Sequence, residues 1–168
     1  LALFANNLAT VYVAMDDLSR AEPLIERALR LRKKNYGEDH PEVASSLNSL
    51  GQLYFKQQRY LEAEYAYKRA LDIEERFLGP NHPEVAATLG NLALVYTAQG
   101  LFADAGPAFQ RSLRIIENTL GPNHRDLATL LANYANYLRK TSFDLEAALV
   151  EERAKTILAQ KTLPASQG

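Results

Sequence analysis

The sequence contains no cysteine, which removes disulfide frameworks, zinc thiolate sites and thiol nucleophiles together. Its formal net charge is only −1, so nothing draws the whole chain to nucleic acid or to an anionic membrane, and any basic surface has to be local. No apolar run approaches the roughly 18 residues that suggest a membrane span, and no charged leader precedes an apolar stretch. Gly-rich phosphate loops and nucleophile motifs are also missing. Acidic pairs such as Glu74-Glu75 and Glu151-Glu152 read as solvated helix surface, not as catalytic dyads. These absences predict a non-enzymatic protein with no cofactor, no metal, and neither nucleic acid nor membrane as partner. The lack of cysteine fits a cytoplasmic location. The first residue is Leu1 and not methionine, which is expected of an excised fragment or a processed product.

What is present is repetition. Leu78-Gly79-Pro80-Asn81-His82-Pro83-Glu84-Val85-Ala86 returns as Leu120-Gly121-Pro122-Asn123-His124-Arg125-Asp126-Leu127-Ala128, and an earlier version reads Tyr36-Gly37-Glu38-Asp39-His40-Pro41-Glu42-Val43-Ala44. A constant spacing of 42 residues separates the three, so the chain is an array whose units bury their apolar faces against their neighbours. The array spans residues 1–161, with units at about 1–39, 40–81, 82–123 and 124–161. Residues 162–168 form a flexible tail.

Within each unit the apolar spacing predicts two helices. Leu47, Leu50, Gly51 and Tyr54 share one face of a helix over 42–56, and Leu89, Leu92, Ala93 and Tyr96 repeat it. Ala5, Leu8, Ala9 and Tyr12 do the same in the first unit, and Leu131, Tyr134, Ala135 and Leu138 in the fourth. The small residue in each face admits a second helix at close range, which explains Gly51 despite its cost of about 1 kcal/mol in helix propensity. A longer helix follows a short polar link. In the second unit it covers 60–78, with Ala63, Tyr67, Ala70, Leu71 and Leu78 as its stripe. Gly37, Gly79 and Gly121 are placed to end these helices in the left-handed conformation, and Pro80 and Pro122 stop continuation. Asp39, Asn81 or the adjacent histidine then caps the next helix, with Pro41 or Pro83 at its start.

Leu50-Gly51-Gln52-Leu53-Tyr54 followed by Ala63, Tyr67 and Ala70 resembles a tetratricopeptide repeat, and the period of 42 with Gly-Pro-Asn-His-Pro-Glu-Val-Ala is similar to the longer repeats of kinesin light chains. The resemblance covers residues 1–158. It implies an all-α fold, a right-handed superhelical solenoid of antiparallel helix pairs, whose first helices line a concave groove that holds an extended peptide. On those helices the face opposite the buried stripe carries Asn6, Asn7 and Val13, then Asn48, Gln52, Phe55 and Lys56, then Asn91 and Leu94, then Asn133, Asn136, Arg139 and Lys140. Asn7, Asn91 and Asn133 form a ladder of amides able to donate to and accept from any peptide backbone, similar to the ladders of O-linked N-acetylglucosamine transferases. The competing reading is that these amides only tie one helix to the next. Lys56, Arg139 and Lys140 give the face fixed positive charge, so an acidic peptide or a C-terminal carboxylate is expected. Kinesin light chains take tryptophan-containing acidic segments in a comparable groove.

Other recurring residues have plainer explanations. His40, His82 and His124 recur one per unit, too far apart to share a metal whose ligands sit about 2 Å from one centre, so they are expected to cap helices or bond between units. Arg27, Arg69, Arg111 and Arg153 form either a basic ladder for phosphate or carboxylate or, as favoured here, structural arginines whose heads bond a neighbouring unit. Glu151 and Lys155 replace the aromatic and leucine of earlier units, as in a polar terminal cap. Leu1, Leu3 and Phe4 make the N-terminal end apolar. Two further functions follow: self-association through that end as a homo-oligomer, or service as an accessory domain of a larger enzyme or sensor.

Overall fold

Short links leave a helix nowhere to go but back along its predecessor. The structure, a computed structural model, describes residues 2–160, apart from the side chains of residues 2–4, 6, 7 and 10. Among the described residues it contains helices and no strand: α1 (Ala2–Ala14), α2 (Leu18–Tyr36), α3 (Pro41–Lys56), α4 (Tyr60–Leu78), α5 (Pro83–Gln99), α6 (Phe102–Leu120), α7 (Arg125–Lys140) and α8 (Asp144–Gln160). They fall into two compact units, residues 1–80 with α1–α4 and residues 81–168 with α5–α8. The expected contributions of Leu1, Leu3, Phe4, Asn6, Asn7 and the 162–168 tail lie outside the described residues and side chains.

The repeated link has a repeated chemistry. His40, His82 and His124 each accept, through Nδ1, the backbone N–H two residues on at 3.2 Å. That bond satisfies one of the donors a helix start leaves unpaired. Gly37, Gly79 and Gly121 do have positive φ (88°, 89° and 92°), but ψ of 172°, 156° and 164° makes them extended and not left-handed helical as expected. That region is essentially closed to residues with a Cβ. The left-handed helical conformation occurs instead in the turns inside the pairs, at Gly100 (φ 77°, ψ 13°). At the same repeat position, Asp16, Gln58 and Ser142 have φ of 60°, 60° and 66°.

In the first unit Ala9, Val13, Ala21, Ile25, Leu50, Leu53 and Ala66 form one buried cluster, and Val43, Ala44, Leu47, Ala70 and Ile73 another. Gly51 faces Tyr67 so closely that a Cβ would stand 2.7 Å from the ring, the close approach its presence predicted. Arg32 is only 4% exposed. Its Nη1 donates to Ser46 Oγ at 2.7 Å and its Nη2 pairs with Glu42 at 3.0 Å, locking α2 to α3. In the second unit the equivalent positions hold Ile116 and Leu130, both buried, so the same junction is apolar there. Phe109 is fully buried against Tyr134 and Tyr137, at 5.6 and 5.7 Å between ring centroids. Tyr137 also hangs over Gly106, where a Cβ would meet its hydroxyl at 2.6 Å.

The expected apolar stripes are buried or half-buried apart from Leu8, which is 45% exposed; Leu120, at the end of α6, is 37% exposed. Both lie in a terminal turn or on the first helix, where less is packed against them. On α8, Glu151 turns toward α7, while Leu145 and Leu149 are 82% and 74% exposed. Its outer surface is therefore less polar than the sequence suggested.

Candidate functional site

In the second unit, α5 and α7 run side by side and leave a cleft of about 250 Å³ between them. The glycine at 90 opens it: with no side chain on α5, Leu130 of α7 comes within 2.9 Å of where a Cβ would be. Leu130 and Ile116 supply an apolar floor, and Asn91 and Asn133 stand on the walls. Both asparagines are half-buried. Among the described residues neither side-chain amide makes a hydrogen bond, so each presents a donor and an acceptor to the cleft. Asp126 stands at its edge, beside the cap of α7.

The other expected residues are less uniformly available. In the first unit Asn48 Nδ2 donates to the buried Glu74 Oε1 at 2.7 Å, which ties α3 to α4. It does not reach outward. Val13 is a core residue, 7% exposed, and is lost to the groove. Phe55 is half-buried against Tyr60, 5.8 Å between centroids. Gln52 and Asn136 are exposed, and Leu94 is half-buried. Thr97, one turn beyond Leu94 on α5, is buried and donates to the carbonyl of Ala93 at 2.7 Å.

The positive charges are partly neutralised. Lys56 lies 3.8 Å from Asp16, and Arg139 is hydrogen-bonded to Glu151. That bond holds the Glu151 carboxyl below its ordinary range and raises Arg139 above its own. Lys140 is exposed, and among the described residues it has no ion-pair partner. Sequence reasoning missed Asp126, Ile116 and Leu130 as cleft residues. Leu130 precedes Leu131 of the buried stripe, and its neighbour across the cleft is visible only once α5 and α7 are side by side.

The arginine ladder is largely structural. Arg69 bonds Asp39 and Asp72, each at 3.2 Å, and Arg153 bonds Glu117 of α6 at 2.6 Å. Among the described residues no group of three or more His, Asp or Glu is placed to hold a metal ion. No described helix is long and apolar enough to cross a membrane.

A family model for the tetratricopeptide repeat matches residues 1–75, 47–105 and 84–157. The comparison with curated proteins returns no match. Among solved structures, BtubC (BKLC) from P. vanneervenii is 24% identical with a TM-score of 0.84, over 100% of this chain and 67% of that one. A kinesin light chain-like protein of Podosopora anserina, with nearly identical TPR-like repeats, is 24% identical with a TM-score of 0.79, over 96% of this chain and 76% of that one. Aspartyl phosphate phosphatase F from Bacillus subtilis is 15% identical with a TM-score of 0.79, over 95% of this chain and 40% of that one. At these identities the likeness is one of fold.

Proposed function

The chain belongs to the tetratricopeptide repeat family, and from that premise we propose that it is a non-catalytic scaffold holding an extended segment of a partner protein along α5 and α7. The family's arrays are generally protein–protein interaction scaffolds. The observation that carries the reading here is the pair Asn91 and Asn133: two amides on one cleft, without internal partners, above an apolar floor. Both amides are part-exposed and open to solvent, so a peptide backbone, which supplies a donor and an acceptor for each, can take the place of water there.

Charge assigns the segment a direction. Arg139 faces Glu151 and Lys56 faces Asp16, so the acidic preference rests on Lys140, at the C-terminal end of α7. Asp126 marks the other end. Helical rise places these two about 20 Å apart, the reach of roughly six extended residues. The segment is uncharged or apolar over the cleft and acidic where it passes Lys140.

Selection of peptides from a random displayed library on the intact protein tests this. Selected sequences should carry an acidic residue at one end only. N91A/N133A should weaken them at least tenfold, on the order of one to two hydrogen bonds. Unchanged binding by the double variant would remove the cleft from the proposal.

A further inference from the structure

In the first unit a carboxylate is clamped by arginines. Arg69 Nη2 and Arg76 Nη2 each donate to Asp39 Oδ1 at 3.2 Å, while Asp72 accepts from Arg69 Nη1 at 3.2 Å and from Arg76 Nη2 at 2.7 Å. Two guanidiniums and two carboxylates cancel. Moving 42 residues along the sequence, Asp39 becomes Asn81, Arg69 becomes Arg111, Asp72 becomes Arg114 and Arg76 becomes Asn118. In the second unit these same four positions, with Ile115 and Thr119, line a cleft of about 410 Å³. Both carboxylates have gone from the lining, which now holds Arg111 at the Arg69 position and a new arginine, Arg114, at the Asp72 position, while the Arg76 position has become Asn118.

Arg111 is engaged with the rest of the chain, as Arg69 is in the first unit. The other charge is that of Arg114, which among the described residues forms no ion pair: Gln110, one turn before it, is not an acid, and Glu117, three residues on, is paired with Arg153. We propose that this cleft binds a phosphate-class oxyanion where the first unit carries its own carboxylate. The guanidinium fork matches such an oxyanion, and the Asn81 and Asn118 amides can each donate to it. Arg114 and the two amides offer donors from three directions, which the three or four oxygens of a phosphate can meet. The cleft shares no residue with the α5–α7 cleft, so this inference stands apart from the peptide reading.

The test is a titration of the intact protein, followed by amide and arginine Nε NMR shifts, with inorganic phosphate in one arm and a short phosphoserine peptide in the other. Saturable shifts at residues 81, 111, 114 and 118 are expected. N81D restores the internal carboxylate of the first unit and should weaken binding at least about tenfold. R114Q, which adds no acid, should do the same. Tighter binding of the phosphopeptide would assign the site to a partner's phosphorylated side chain, and equal or weaker binding to free phosphate. Shifts that drift without saturation, or that persist in both variants, would overturn the proposal.

Discussion

Gln58, with φ of 60°, occupies the turn position that Gly100 fills one repeat later. A residue with a Cβ pays about 1–2 kcal/mol to sit there, offset in part by the extra freedom glycine loses on folding. Gln58→Gly should therefore stabilise the protein by about 0.5–1 kcal/mol, read as a higher urea midpoint with unchanged slope. At this scale the sequence was uneven evidence. Gly51 announced a close approach because close packing best justifies glycine inside a helix, whereas the sequence left the cap open between the histidine and its Asp39 or Asn81 neighbour, and the structure gives it to the histidine. Asn48 and Val13 were misread for one common reason: a helical wheel assigns a face to each residue but says nothing about which neighbour covers that face. Asn48 is claimed by Glu74 of α4, and Val13 by the cluster containing Leu50 and Leu53.

Between elements, polar ties fix how helices dock. Glu22 of α2 accepts from Gln57 Nε2 at 2.9 Å and from Arg59 Nη1 at 2.8 Å, in the turn between α3 and α4. Arg59 in turn lies 4.2 Å over the ring of Tyr54. The Gln57 hydrogen bond, then that of Arg59, lowers the pKa of Glu22 below its ordinary range. A carboxyl depressed in the folded state stabilises above the unfolded value of about 4.3, and loses that contribution as pH falls through the folded one. Glu22→Gln should cost up to about 1 kcal/mol at neutral pH, the scale of a part-exposed pair. The difference from the parent should vanish once the pH is below both values, as urea midpoints across the acid range would record. The helices were legible from 3.6-residue periodicity and their link glycines; the 60–78 helix was placed to the residue. The ties were not, since Glu22 and Arg59 are 37 residues apart and no local pattern joins them.

At the scale of the whole molecule, stability in a repeat array is a sum over neighbouring contacts, so it should vary along the chain. Helix α5 buries residues along its whole length, from Val85 and Ala86 to Tyr96 and Thr97, whereas α8 buries Ala147, Ala154 and Ile157. Native-state hydrogen exchange should find α8 amides opening well before those of α5, and equal protection would contradict that picture. Family and fold were legible because the 42-residue period repeats its punctuation three times. The charge of the face proposed to bind was not, because Arg139 is neutralised by a residue on the following helix. The junction positions carry one more consequence. Arg32 with Ser46 is a polar match, and Ile116 with Leu130 an apolar one. Tandem duplication of residues 82–123 would set a second Thr88 where Leu130 stands, burying a hydroxyl beside Ile116. Growth by copying that block would therefore set a hydroxyl against an apolar seam, and the α2–α3 and α6–α7 junctions are not interchangeable.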